Sequence, residues 1–366
     1  VTTLSGGPVA GEAAGPTAGP TGPRSTGQGR PRPVLPLAVL GGLLLAFEVY
    51  VLARWVTGPN FVSTPPGPDP LPPVTAFFLN AMQVFTPIAA LVCVWFWIVR
   101  PWRREGRLTT DGMFALSAGM IFFWDMCMNY TSITLFYNSH LVNRGAWANG
   151  AWPGWTAPGG NLLPEPILIV VPAYTCLVFS QVMFILWLLH KAKARWPDMG
   201  WVRTIATIVV GLTLTDIVVE STVLRMGVYA YPGGIRELTL WAGETYQMPL
   251  TENFFFAGLG FGAIAVFMHF RDDKGRTVCE RGLERVRAGA RAKQLIKFLA
   301  IFGAVHGAFV VLYMVPNQWL ATHSDPFPAG YPSYLTNGMC QSGADGTQCP
   351  GPGIPMPRPA ENRILG

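Results

Sequence analysis

Four carboxylic acids stand inside otherwise uncharged apolar stretches of this 366-residue chain: Glu48, Asp125, Asp216 and Glu220. No Lys or Arg shares those stretches. An unpaired carboxylate in hydrocarbon costs at least about 2.5 to 3.5 kcal/mol on insertion scales, so each acid must be protonated, hydrogen-bonded or turned toward a wet cavity. Taking a carboxyl out of water favours its neutral form, which suits it to giving up a proton near neutral pH. Asp216 and Glu220 are four positions apart, which on a helix puts both on one face with Cβ atoms about 6 Å apart. Two acids that close rarely ionise together, and one protonated beside one charged is the division of labour of general acid and base catalysis. The same residues also suit interhelical hydrogen bonding, or a proton or ion relay without covalent chemistry. His306 reads more readily as a buried hydrogen-bonding histidine than as a proton shuttle.

The elements that must carry these acids follow from composition. Half of the residues are hydrophobic and 13% are charged, which argues against a disordered chain and against an ordinary charged soluble surface. Stretches of about 18 residues or more, the length needed to cross hydrocarbon, run nearly uncharged over 34–53, 74–99, 112–136, 167–189, 204–224, 253–270 and 298–315. They are too long and too continuously apolar for barrel strands, so helices are expected. The expected fold is all-α: a polytopic integral membrane bundle of seven transmembrane helices over 34–315, preceded by a disordered cytoplasmic N-terminal tail over 1–33 and followed by an irregular extracytoplasmic tail over 316–366. The first tail is Gly, Pro, Thr, Ser and Ala with few charges, unable to offset its chain entropy by burial. It is too long and too weakly charged for the n-region of a cleaved signal peptide, and a signal-anchor role for the first span stays open. Pro87 and Pro172 are expected to kink their helices.

Loop charges support the same arrangement. Twenty Lys and Arg fall on one side of the seven-span scheme and six on the other. That alternation predicts a multi-pass cell-membrane protein with its N-terminus cytoplasmic and its C-terminus outside. The net charge of +6 is then a matter of topology. The basic stretch Arg271 to Lys297 reads as a cytoplasmic loop attracted to anionic lipid, not as a nucleic-acid surface. The expected partners are the bilayer and a hydrophobic small molecule, with no nucleic acid and no protein partner inferred. Six Cys without a C-x-x-C pair and five scattered His argue against a zinc module or a dithiol redox site, so no metal is expected. Cys93, Cys127 and Cys176 read as small apolar packing groups. Cys340 and Cys349 would lie outside the membrane, where a disulfide loop and two free thiols are both open. Gly258, Gly260 and Gly262 permit close helix contact, within the bundle or between copies.

Depth adds a second constraint. Glu48 falls in the outer half of the first span, Asn80 and Gln83 in that of the second, and Asp216 and Glu220 in that of the fifth. Asp125 and His306 are near mid-depth, Asn129 is one turn outward from Asp125, and Glu165 and Glu252 stand at outer helix entrances. Gln181, deeper in the fourth span, is the main exception. A polar pocket opening to the non-cytoplasmic face is expected. The outer loops crowd Tyr137, Asn138, Asn143, Trp147 and Trp155, and later Arg225 and Tyr229, among Pro and Gly. Interfacial aromatics are normal, yet this density suggests a lid over a large, apolar, oxygenated ligand.

Trp124-Asp125, Asn129-Tyr130, Tyr137-Asn138, Asn143-Arg-Gly-Ala-Trp147, Pro153-Gly-Trp155 and Pro164-Glu-Pro166, followed by Asp216, Glu220, Arg225-Met-Gly227, Tyr229-Ala-Tyr-Pro-Gly233 and Gln247-Met-Pro-Leu-Thr-Glu252, resemble the AveC-like spirocyclase family of actinobacterial membrane proteins. The likeness runs from about Val34 to Pro332, with Ala146 where a Ser is expected. The resemblance implies cofactor-independent, stereocontrolled spiroketal formation on a polyketide of secondary metabolism, with dehydration in some relatives. For that chemistry protonated Asp125 or Glu220 is the expected general acid, Asp216 the base or cation stabiliser, and Glu252 a further catalytic candidate. Asn129, Tyr137 and Asn138 would orient substrate oxygens. Glu48, Asn80, Gln83, Asn143, Trp147, Trp155, Glu165, Arg225, Tyr229 and His306 complete the expected substrate-binding set. An acid-initiated terpene-type cyclase and a proton-coupled transporter or lipid-binding protein are the competing classes. A retinal receptor is disfavoured because the last span has no central Lys.

Overall fold

Helices α1 (Val34–Val56), α2 (Pro73–Glu105), α3 (Thr110–Met120), α4 (Val170–Arg195), α5 (Trp201–Arg225), α6 (Leu250–His269) and α7 (Ala290–Ala321) follow in order. Among the described residues, all but α3 are long and apolar enough to cross a membrane. This computed structural model describes residues 33–131, 133–147, 150–155, 163–325, 327 and 330–337. The expected N-terminal tail (save Pro33), most of the expected C-terminal tail, and Cys340 and Cys349 lie outside the described residues.

The stretch 112–136, expected as one of the seven spans, is not a single regular α-helix. Its α-helical part has 11 residues, about 16 Å at 1.5 Å per residue. The chain then tightens into a nine-residue 3-10 helix, Ile121–Asn129. Eight of those nine are buried, so the stretch is apolar because protein surrounds it, and hydropathy reads that like lipid. The segment runs alongside α7: Lys297 Nζ donates to Thr110 Oγ1 at 2.6 Å, His306 Nε2 lies 3.0 Å from the Ser117 carbonyl, and Gln318 Nε2 donates to the Met128 carbonyl at 3.0 Å. The seventh helix itself is longer than expected. It takes in the end of the basic stretch from Ala290 and continues beyond 315 to Ala321.

Close packing fixes which way α1 faces. A Cβ on Gly41 would strike the Leu299 carbonyl of α7, and one on Gly303 the Leu37 carbonyl of α1. Such small-residue contacts let backbones approach without a hydrophobic force between helices. Gly258 and Gly260 serve the same end inside the bundle, against Val209 and Thr213 of α5 and Phe309 of α7.

The connections are not all irregular. Strands β1 (Phe136–Tyr137), β2 (Asn143–Gly145), β3 (Pro164–Pro166), β4 (Tyr229–Ala230), β5 (Thr239–Leu240) and β6 (Met248–Pro249) form three antiparallel pairs, β1 with β4, β2 with β3 and β5 with β6. The all-α expectation missed them because a buried loop layer must pair its backbone groups somewhere. Four helices also widen into π-helical turns, at Trp95–Val99, Tyr174–Val178, Phe254–Phe261 and Val310–Met314. The second begins two residues after Pro172, which sits in the first turn, where a helix needs no intrahelical N–H donor.

Candidate active site

Side by side on α5, Asp216 and Glu220 continue a buried stripe of every fourth residue from Thr204 through Ile208 and Leu212 to Leu224. Val218, on the opposite face, is 66% exposed. The helical spacing alone therefore points both carboxyls inward. They open onto a common cavity of about 100 Å³. Asp125 and Glu252 line it too, with Tyr137, Tyr174, Tyr229 and Tyr231. Its remaining walls are mainly apolar, including Met128, Leu135, Val219 and Phe256. All four carboxyl residues are buried.

Departures from α geometry deliver most of the other groups. Asp125 comes from the 3-10 helix, Glu252 from the first turn of α6, and Tyr174, Phe256 and Phe261 from π turns. A π turn inserts a residue into the helical phase and often accompanies a functional site. Tyr229 and Tyr231 are two residues apart on extended chain, which directs both to one side. Both hydroxyls reach Glu220 Oε1, at 3.2 and 2.9 Å. The β1–β4 register sets Tyr137 opposite Tyr229, with ring centroids 5.8 Å apart. That strand pair thus covers the cavity and touches two acids at once.

Every acid in the cavity has a fixed donor. Tyr137 donates to Asp125 Oδ2 at 2.9 Å and Tyr174 to Oδ1 at 2.6 Å. Asn253 Nδ2 donates to Asp216 Oδ2 and to Glu220 Oε2, both at 3.0 Å. Gln181 Nε2 is 3.5 Å from Asp216 Oδ1, and Tyr313 donates to Glu252. Among the described residues, no Lys or Arg forms a salt bridge with any of the four. Hydroxyl and amide donors instead hold the carboxyl oxygens in place, which fixes geometry without removing basicity as a guanidinium would. Chemically the arrangement can give, take and relay protons beside an apolar guest.

Several expected residues lie elsewhere. Glu48 faces α7 and not the cavity: its Oε1 is 2.7 Å from His306 Nδ1 and accepts from Trp124 Nε1 at 3.1 Å. His306 Nε2 must carry hydrogen, because its partner is the Ser117 carbonyl, and Phe302 stacks on the ring at 3.7 Å. Asn129 holds the backbone N–H groups of Thr134 and Leu135. Asn138 donates to the Gly227 carbonyl, and Asn143 ties Thr64, Ser139 and Leu141. Asn80 is exposed, and Gln83 accepts from the Val142 N–H at 2.7 Å. Trp147 donates to the Phe123 carbonyl, and Trp155 packs edge-on against Tyr130. Arg225 lies between the Trp241 and Tyr246 rings, at 4.6 and 4.4 Å. Glu165, on β3 opposite Arg144, is buried outside the cavity lining. Burial first, and the charge of Asp125 second, push its carboxyl well above the usual range.

Sequence reasoning did not assign Tyr174, Tyr231, Asn253 or Tyr313 to the site. The alternation of Tyr229 and Tyr231, and an amide directly after Glu252, were signals for two of them; Tyr174 and Tyr313 carried none. Ala146, the position where Ser was expected, is buried away from the cavity. No curated protein and no solved structure matches the chain. A family model described as Spirocyclase AveC-like matches residues 102–336, a stretch that includes all four cavity acids and five of the tyrosines around them. With well over half of its length in that match, the chain belongs to the AveC-like spirocyclase family.

Proposed function

We propose that the protein is a membrane-embedded, cofactor-independent cyclase that closes a polyketide dihydroxy-ketone to a spiroketal by carboxyl acid and base catalysis. One observation carries the reading: Asp125, Asp216, Glu220 and Glu252 converge on a single, largely apolar cavity, each with a fixed hydroxyl or amide donor. In the first step one substrate hydroxyl adds to the ketone and gives a hemiketal. A carboxylic acid, Asp125 or Glu220, then protonates the hemiketal hydroxyl, which leaves as water and creates an oxocarbenium ion. Neighbouring carboxylates stabilise that cation, and the second substrate hydroxyl attacks it. Asp216 or Glu252 accepts the released proton, so one water leaves and the protein regains its starting proton count after internal relay.

Stereocontrol follows from rigid walls. A difference of about 1.4 kcal/mol between the two faces of the cation gives tenfold selectivity, and the β1–β4 pair with its edge-to-face tyrosines covers one approach. In this reading the strand-bearing end of the bundle faces away from the cytoplasm and the basic end, with Lys193 and Lys297, faces it. Dehydration of the product is an added activity the same acids can support.

The test uses purified protein and an open-chain dihydroxy-ketone, followed by chiral chromatography of the product. The parent should accelerate closure and favour one stereoisomer, and Asp216→Asn or Glu220→Gln should suppress this in folded protein. Equal activity in both variants removes that pair from the mechanism. Proton-coupled uptake of the unchanged solute into liposomes, without cyclisation, establishes transport instead.

A further inference from the structure

Tyr231 and Glu252, which line the acid cavity, also line a second space of about 20 Å³ with Thr134, Gly233, Asn317 and Ser324, room for about one water molecule. This space lies toward the loop end of the bundle, between the chain that follows β4 and the last turns of α7. Its walls differ from those of the larger cavity. Thr134, Asn317 and Ser324 are 6%, 8% and 5% exposed, and each presents a polar side chain there. The Asn317 Nδ2 donor is buried with no hydrogen-bond partner among the described residues. Buried donors are nearly always satisfied, and a polar space with several convergent groups is where water does so. Glycine keeps the space open: a Cβ on Gly233 would press on the Ile133 carbonyl at 3.0 Å and the Ser324 hydroxyl at 3.4 Å.

We propose that this second space is a water and proton passage, with Glu252 and Tyr231 as the groups shared between it and the acid cavity. Its cargo rests on the ketal chemistry above. Each closure breaks a C–O bond and releases one water into an apolar chamber, where that water can add back to the oxocarbenium ion and reverse the step. A polar exit beside Glu252 removes it. Glu252, donating to or accepting from water on this side, returns the proton taken from the second hydroxyl. The passage is lined for water and protons, and the apolar walls of the larger cavity suit the polyketide.

Cysteine accessibility in native membranes tests the passage without relying on activity. Asn317→Cys, Ser324→Cys and Thr134→Cys are each exposed to a small cationic methanethiosulfonate reagent, with modification read by peptide mass spectrometry. The native buried Cys127 serves as the internal dry reference. At least two of the three introduced thiols should react tenfold or more faster than Cys127; rates no faster than that of Cys127 overturn the passage, whatever the enzyme does. In parallel, Asn317→Leu should lower kcat about tenfold with KM and product stereochemistry unchanged. Wild-type kcat in that variant overturns the role in water release. Fast labelling in a protein that does not cyclise the ketone leaves the passage standing and removes the ketal reading.

Discussion

Replacing Asn253 with leucine deletes a side chain that hydrogen-bonds both acids of α5. Its amide donates to Asp216 Oδ2 and Glu220 Oε2 at 3.0 Å each, and leucine has the same branching and side-chain heavy-atom count without either donor. A hydrogen bond to a charged group is worth about 1.5 to 3 kcal/mol. Two such bonds total about 3 to 6 kcal/mol, of which only the part gained between ground state and transition state appears in kcat. If half of it is gained as charge moves between the acids, kcat falls about 10- to 150-fold. Asn253 reaches the acids and not the substrate, so it is a positioning residue and KM should change little. The assay is spiroketal formation by purified variant in detergent, with thermal unfolding run beside it. Asn253→Gln, which keeps the amide on a longer arm, should restore part of the loss. A leucine variant that stays folded and keeps kcat within threefold of the parent would refute the view that this amide sets the acid pair.

Two further outcomes follow from groups outside the cavity. His306→Leu leaves Glu48 with Trp124 Nε1 as its donor and should destabilise the fold by about 1 to 3 kcal/mol, whereas adding Glu48→Leu should recover much of that; thermal unfolding of the two variants reads it, and equal loss in both would exclude the Glu48–His306 contact as the cause. Glu280 lies in the basic connection, where burial acts to raise its carboxyl but hydrogen bonds from Lys297 and the Thr277 backbone outweigh it and hold it below the usual 4.5. A carboxyl lowered in the folded state contributes stability that is present above its unfolded value and lost as pH falls through the folded one. The connection should therefore become more open to limited proteolysis as pH falls below 4.5 and through the lowered Glu280 value. Glu280→Gln should flatten that response, and an unchanged pH profile in the variant would count against it.

What could be read before the structure divides along a physical line. Asp216 and Glu220 were legible because regular helical spacing sets their common face, and Glu252 because an acid at the start of an apolar run is conspicuous. Glu48 was expected at the pocket and instead faces α7. Depth follows from counting residues, whereas azimuth follows from packing, and the Gly41–Gly303 approach turns Glu48 toward His306. Asn129, Asn138 and Asn143 suggested ligand contacts by their chemistry, yet each is consumed by turns whose backbone groups have no ladder of their own.

The groups that complete the site share another property. Tyr174 and Tyr313 sit in π turns, Asn253 directly precedes one, and Asp125 sits in a 3-10 helix. In each case the local winding departs from 3.6 residues per turn, so a phase counted along the chain from the helix start no longer predicts which way a side chain points. Hydropathy is blind to that change, because the residues involved stay apolar or aromatic throughout. Three of the π turns and the 3-10 helix bring residues to the cavity or to its acids, at Tyr174, Phe256, Tyr313 and Asp125. That distribution is what a bundle needs if it must aim four acids at one point: uniform helices would turn Asp125, Tyr174 and Tyr313 away from Asp216 and Glu220, and local sequence rules fail where the site is built.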